Sequence, residues 1–536
     1  MRERHDAPFQ PAPMSAVLGP AAADTQALRS LARWARQSAR ARPGLWVTLG
    51  LLGFAAVWLA HLASTSLAPP TDNIEQLTWV HSLEWGYYKH PPLPTWLFWV
   101  PAHVFGESTW TSYIVGAACT LASVGLLWRL LSQLRGARYA TLALLAVLCI
   151  TYYNGRLYYY NHNIVLMLFA TASAALCWAA FKTGRLRWWA ALGVAIGLGA
   201  LAKYQIAVTI VSVLVFWLWQ RGWRDARHRL GLLLAALIAL LMVLPHLAWL
   251  RSHDFGPIGY AMQTSLGVHL GTRACSADAA HWLIDQLLNR ALPAWLLLGA
   301  ALWVSRRQAV APAPLALPAT HDDAGRALLL SWGLVPLLFM PLLGVATGAD
   351  LKLHWGTPFL LFAVPAAMEL LGARVRWSQV ALAPTAKAFV VIQGLLLLVS
   401  QLTSPRGPEF LRDHGWRTFD AAALAAKLEP LARKALAGGA ICVVSGPAAP
   451  AGALALRLAD HPLVLIDGRY DRSPWVSRDQ VRRCGVLELQ QGRPLPGSRS
   501  VGAEFAGLFW RVVPPAVGLA GKAPGDRAQD RSVSSR

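Results

Sequence analysis

Residues 44–63 read GLWVTLGLLGFAAVWLAHLA. The run holds no acid, lysine or arginine. Its length matches the roughly 20 residues an α-helix needs to cross a hydrocarbon core of about 30 Å. A secretory signal has a shorter apolar stretch, about 7–15 residues. The run therefore reads as a retained first span. Arg29, Arg33, Arg36, Arg40 and Arg42 stand just before it, at spacings that can line one helix face toward anionic lipid headgroups.

The rest of the chain extends this pattern. Of 536 residues, 55% are hydrophobic and 14% charged, and the mean hydropathy is +0.40. Soluble domains carry about 25% charged residues. Apolar runs recur near 44–66, 107–131, 139–155, 162–181, 188–202, 204–220, 230–250, 292–304, 327–345, 356–372 and 379–400. They predict an all-α polytopic membrane protein with about eleven transmembrane helices. Residues 188–220 fit either one long kinked helix or a tight hairpin turning at Lys203.

The net charge of +22 and pI near 10.4 raise the question of nucleic acid. The positions of the cations argue against it. Arg129, Arg135 and Arg138, then Lys182, Arg185 and Arg187, then Arg221, Arg224, Arg227 and Arg229, then Arg306, Arg307 and Arg326, then Arg374 and Arg376 all fall in alternate connectors. That is the positive-inside pattern for a cytoplasmic N-terminus. It puts residues 72–96, 158–163, 251–290 and 348–355 on the opposite side, with everything after about 401. Residues 1–43 then form a cytoplasmic tail and 44–400 the membrane domain. The Pro/Ala-rich 310–319 reads as an inside linker.

Beyond 401 the apolar runs shorten to strand length: AICVVS at 440–445, LVLI at 463–466 and GVLEL at 485–489. A short helix is expected over 451–458. These features predict a small α/β extracytoplasmic domain over 401–517. The Ala/Gly/Ser-rich 518–536 reads as a disordered tail. Cys442 and Cys484 can pair if this domain meets an oxidising compartment. No metal-ligand spacing occurs in the sequence.

The chemistry concentrates in residues 71–96, TDNIEQLTWVHSLEWGYYKHPPLPTW. Asp72 and Glu75, three apart, share a face if the loop turns helical, and such acids suit a general base. The competing reading makes Asp72 a helix cap. The following Tyr87-Tyr88-Lys89-His90-Pro91-Pro92 predicts an extended turn holding Lys89 and His90 at headgroup level, either for a phosphate or as an interfacial anchor. Asn161 and Asn163, in YYYNHN at 158–163, suit a sugar or a helix cap. Lys203-Tyr204 interrupts an apolar stretch, where a lysine is costly unless functional or snorkelling. Lys352 and His354 lie in DLKLHW at 350–355, suited to an anion or an interface. His253, Asp254, His269, Arg273 and Asp278 read as solvated residues of a long loop that can act as a lid.

Together TDNIEQLTW, GYYKHPPLPTWL, HVFGES, YNHNIVL and GLGALAKY, with PHLAWL and LKLHWGTP more weakly, resemble the polyprenyl-phosphate-sugar-dependent glycosyltransferases of family 39 and its relatives. These include the protein O-mannosyltransferases and the lipid A aminoarabinose transferase. The resemblance covers roughly residues 44–400. It implies a C-type membrane glycosyltransferase fold in a bacterial inner membrane, with the active site on the periplasmic face. It implies an inverting transfer from a polyprenyl-phosphate-linked sugar to a periplasmic glycolipid such as lipid A, a polysaccharide or a protein. Membrane lipids are the other partners, and neither cofactor nor metal is implied. Asp72 is the implied general base, with Glu75 as a second acid. Lys89, His90, Lys203 and Lys352 are the implied phosphate ligands, and Tyr88, Asn161, Asn163, Tyr204 and His354 the candidates for sugar or acceptor contact. Two positions depart from the family: Asp72 is followed by Asn73 where an acid is frequent, and Asn161-His162-Asn163 stands where many relatives carry an acid. The rival readings are a lipid-linked-sugar flippase and a catalytically degenerate family member.

Overall fold

The computed structural model describes residues 42–266, 271–308 and 323–516. The expected tails at 1–41 and 518–536, the linker at 310–319 and His269 lie outside them. The chain divides after Leu52 into two compact units. The described part of the first, residues 42–52, consists mainly of the start of α1 (Pro43–Ser64). Everything below concerns the second.

Among the described residues six helices are long and apolar enough to cross a membrane: α1, α4 (Thr109–Arg135), α6 (His162–Thr183), α9 (Ala226–Ser252), α13 (Asp323–Thr347) and α15 (Leu382–Leu402). Between α1 and α4 lie α2 (Thr71–Trp79) and α3 (Leu93–Phe105). The shorter apolar helices are α5 (Ala137–Val147), α7 (Leu186–Ala202), α8 (Ile206–Trp219) and α14 (Ala363–Leu371). The long loop after α9 carries α10 (Gly256–Ala261) and α11 (Thr272–Ile284), and a bent pair joins 273–290 to α12 (Leu292–Gln308) at 49°. Each apolar run read from the sequence overlaps one of these helices. The run at 139–155 is cut short: its helix ends at Val147 and a series of turns follows to Tyr158.

The hairpin reading of 188–220 is the correct one. Lys203 is extended (φ −162°, ψ 138°) and ends α7. Trp189, early in α7, lies 6.0 Å from the His228 ring, which stacks on Phe181 at 4.3 Å. Phe216, late in α8, returns to Phe181 at 5.1 Å. Helices α7 and α9 approach closely: a Cβ on Gly193 would lie 2.5 Å from the Ala235 carbonyl oxygen. Small residues at such crossings let backbones pack where lipid supplies no hydrophobic driving force. The opposite face of α9 exposes Leu233, Leu237, Leu240 and Leu244, as a lipid-facing surface requires. Gln393 ties helices together inside this apolar setting. It accepts from Trp58 Nε1 at 3.0 Å and donates to the Leu148 carbonyl at 3.1 Å.

The C-terminal region is a mixed five-stranded sheet in the order β2-β1-β3-β5-β4. Strands β1 (Val443–Gly446), β2 (Leu463–Ile466) and β3 (Val486–Gln491) run parallel, and β5 (Leu508–Val513) pairs antiparallel with β3 and with β4 (Arg499–Ser500). The first three match the apolar runs read from the sequence. The central strand β1 and the edge strand β2 are both too fully buried to show alternation, as parallel strands covered on both faces are. Helices α16 (Ala421–Ala435), α17 (Ala448–Ala455) and α18 (Arg478–Cys484) complete the region. Cys442 and Cys484 are joined, with Cα atoms 5.9 Å apart.

This region grips α2 from behind. Trp79 and Tyr87 belong to the same apolar cluster as Leu424, Val444 and Leu454. Trp416 Nε1 donates to the Pro69 carbonyl at 2.7 Å, and Leu67 N to the Arg417 carbonyl at 2.9 Å. A Cβ on Gly452 of α17 would lie 2.3 Å from Ile74 Cγ2, so only glycine permits this contact.

Candidate active site

Helix α2 begins after Pro70, whose side chain makes no capping hydrogen bond. Asp72 therefore sits inside the first turn and is not the cap. Its Oδ2 instead accepts from Asn161 Nδ2 at 2.8 Å. Asn161 caps α6, accepting from Ile164 N at 3.0 Å, so one amide both starts a helix and orients the carboxylate. The next residue, Asn73, is fully buried. Its Nδ2 donates to Ser112 Oγ at 3.0 Å and to the Tyr158 carbonyl at 2.9 Å, and its Oδ1 accepts from Tyr160 N at 2.9 Å. Every polar atom of that side chain is used. A carboxylate here could not donate to the Tyr158 carbonyl, which accounts for the Asp-Asn departure.

Asp72 opens into a cavity of about 210 Å³. Thr71, Asn161, Asn163, Tyr152 and Tyr159 line it, with Arg156, Ile164, His354 and Thr357. Behind Asn163, Lys203 Nζ donates to its Oδ1 at 2.6 Å and lies 5.5 Å from the centre of the Trp355 ring. The guanidinium of Arg156 lies 5.5 Å from the Tyr152 and Tyr159 ring centres. Among the described residues no carboxylate pairs with it. Enclosure by protein pushes the His354 imidazole down to about 4, and the Lys203 ammonium adds to that shift. The ring is therefore neutral at physiological pH.

The other predicted residues divide into groups. Glu75 and Lys89 form an ion pair beside this cavity, both largely enclosed. Burial works against the Lys89 charge, but Glu75 outweighs it and raises the ammonium above its ordinary value. Lys89 Nζ also lies 5.8 and 5.7 Å from the ring centres of Tyr88 and Tyr260. Tyr88 is covered on another side by Arg472 of the C-terminal region, at 5.2 Å. His90 stacks on His162 with ring centres 4.0 Å apart. Burial, and then the neighbouring His162, hold it well below the usual histidine range. Neither Lys89 nor His90 lines the cavity.

The expected extended turn at 87–92 is a closed one. Tyr87 and His90 exchange backbone hydrogen bonds of 2.9 and 3.2 Å. The two prolines lead directly into α3, whose fixed φ suits a helix start. Tyr204 donates to or accepts from His246 Nε2 at 2.8 Å, and His246 Nδ1 contacts the Trp85 carbonyl at 2.6 Å. Lys352 pairs with Asp350 outside the cavity. In the long loop, Asp278 is an anchor: its Oδ2 accepts from Leu351 N at 2.7 Å.

Tyr152 was missed in the sequence because it sits inside an apparent span, 139–155, and Arg156 because it falls between that run and the segment 158–163. The early stop of α5 places them at the cavity wall. An arginine at the very end of an apolar run was the available signal.

Residues 89–249 match the family described as dolichyl-phosphate-mannose-protein mannosyltransferase. The undecaprenyl phosphate-alpha-4-amino-4-deoxy-L-arabinose arabinosyl transferase of Pseudomonas aeruginosa strain PAO1 is 30% identical over 289 residues, covering 49% of this chain and 51% of that one. The Pseudomonas fluorescens enzyme of that name, numbered 1, is 27% identical over 324 residues, covering 55% and 53%. The chain thus spans about half the length of these curated relatives. ArnT from Cupriavidus metallidurans bound to undecaprenyl phosphate matches in fold with a TM-score of 0.58 at 15% identity, over 89% of this chain and 99% of that one. Its apo state gives 0.53 at 15% identity, over 87% and 97%. The resemblance read from the sequence therefore holds: the chain is a multi-pass membrane protein of ArnT-like fold, similar over residues 89–249 to the dolichyl-phosphate-mannose-protein mannosyltransferases.

Proposed function

We propose that the protein is an inverting glycosyltransferase that takes a sugar from a polyprenyl-phosphate carrier. The observation that carries this reading is one cavity holding an oriented carboxylate, Asp72, and a guanidinium without a carboxylate partner, Arg156. A flippase needs polar groups along a path, commonly in paired broken helices. Here opposite charges converge on one small volume. The names of the relatives support a lipid-phosphate donor, and ArnT was solved with undecaprenyl phosphate.

In this mechanism Asp72 takes the proton of an acceptor hydroxyl while its oxygen attacks the anomeric carbon. The bond from that carbon to the phosphate oxygen breaks as the new glycosidic bond forms. Arg156 and Lys203 bind the departing phosphate, stabilising the charge that develops there. Glu75, held by Lys89, fixes α2 rather than receiving a proton. The acceptor is a periplasmic glycolipid, polysaccharide or protein, and the enzyme lies in a bacterial inner membrane with the sheet domain outside. The joined Cys442 and Cys484 support an oxidising compartment for that domain.

The test uses purified protein in liposomes containing labelled undecaprenyl-phosphate sugars, with an envelope extract as acceptor. The reading expects label covalently joined to an acceptor and free undecaprenyl phosphate in equal amount. Movement of intact donor between leaflets without cleavage would refute it in favour of transport.

A further inference from the structure

We propose that the donor sugar is uncharged, unlike the amino sugar in the names of the arabinosyl transferase relatives; this rests on the glycosyltransferase reading above. The inference comes from the charges that face the cavity. Asp72 is the single carboxylate among its lining residues, and Asn161 already engages it. Arg156 faces the same space, and Lys203 stands behind Asn163. Among the charges farther out, Arg290 Nε pairs with Asp285 at 3.0 Å, Lys352 with Asp350 and Lys89 with Glu75, while Arg417 donates to the Ser400 carbonyl at 2.9 Å. His354 contributes no charge at neutral pH.

A sugar joined to a polyprenyl phosphate is a phosphodiester bearing one negative charge. Burial lowers the Lys203 ammonium to about 7, and the incoming phosphate favours its charged form, so two cations face two anions, Asp72 and the donor phosphate, once the donor is seated. An uncharged sugar leaves that set balanced. A 4-amino sugar adds an ammonium for which no acid remains, because Asp72 must also accept the proton of the acceptor. A uronic acid adds an anion with no cation left for it. An uncompensated charge in an enclosed site is costly.

The uncharged polar surface fits the same substrate. Asn163 spends its oxygen on Lys203, and among the described residues its amide nitrogen has no protein partner. It is free to donate to a sugar hydroxyl. The rings of Tyr152 and Tyr159 supply flat walls. Asn161 and Asn163 are uncharged amides, so they add nothing to the charge of the site.

The experiment measures binding, not turnover, so its outcome is separate from whether transfer occurs. Full-length protein in nanodiscs is loaded with labelled undecaprenyl phosphate. Undecaprenyl-phosphate arabinose, its 4-amino-4-deoxy counterpart and undecaprenyl-phosphate galacturonate then compete for it. The neutral donor is expected to bind at least about tenfold tighter than either charged one. The ranking should persist in Arg156→Lys, which keeps the charge. In Arg156→Gln one cation is gone, and the amino donor should match or overtake the neutral one. Equal or tighter binding of either charged donor by the wild type overturns the inference. So does a ranking that ignores Arg156→Gln, or competition by none of the three. Absence of transfer despite the expected ranking would count against the enzymatic reading alone.

Discussion

Asn161 carries two duties in one side chain, and they can be separated. Replacing it with serine keeps an oxygen for the start of α6 but cannot reach Asp72. Asn161→Ser is expected to fold nearly as well as wild type while transfer falls between about 10- and 100-fold, the effect of a misplaced catalytic group. Asn161→Ala should lose about 1 kcal/mol of stability in addition. Thermal unfolding and transfer rates on the same preparations check both, and equal activity in Asn161→Ser would show that Asp72 needs no orienting amide. At this scale the sequence was partly readable. Asp72, Asn161, Asn163 and His354 stood out as polar residues at apolar boundaries, and they share one cavity. Lys89 and His90 stood out for the same reason yet face other partners. The spacing of residues does not reveal which of two neighbouring pockets a loop side chain enters.

Helix α2 is held by what lies behind it. Gly452 and Ile74 touch closely enough that any side chain at 452 must push α17 away. Gly452→Val should cost about 1–3 kcal/mol, as overpacking does. It should also lower transfer, although residue 452 lines no part of the cavity. Ile74→Ala in the same chain should return part of both losses. A double variant no better than Gly452→Val would separate the contact from the defect. The helices of the membrane domain were legible because twenty-residue apolar runs have few alternatives in a bilayer. The hairpin at Lys203 was one of two readings, and tertiary contacts decided it. Strands β4 and β5 were not foreseen: β4 has two residues, and β5 contains Arg511, which pairs with Glu488 across the sheet.

Across the whole molecule, the segments expected on one side of the membrane converge. Asp72, the turn at 158–163 and His354 meet at the cavity, while Tyr260 and Arg472 close over Tyr88 and Lys89. Acid should loosen this assembly. His90 is held neutral by burial and by His162, with Lys89, Lys203 and His354 as further neighbours. The unfolded chain takes up that proton near pH 6.5. Its folded pKa is lower, so its contribution to stability is complete above pH 6.5 and diminishes as pH falls below that. The melting temperature in detergent is expected to drop between pH 7 and pH 5, and His90→Gln should shrink the drop. An identical drop in the variant would assign the acid sensitivity to other groups.

The account as a whole depends on Asp72 acting as a base rather than as a structural or donor-binding group. The most direct measurement compares wild type with Asp72→Asn for donor affinity and for single-turnover transfer, in the same membranes. Asparagine nearly preserves the shape but cannot take the proton. The expected result is donor binding within about threefold of wild type and a transfer rate at least about 100-fold lower, the usual weight of a general base. Transfer at the wild-type rate by Asp72→Asn would contradict the account.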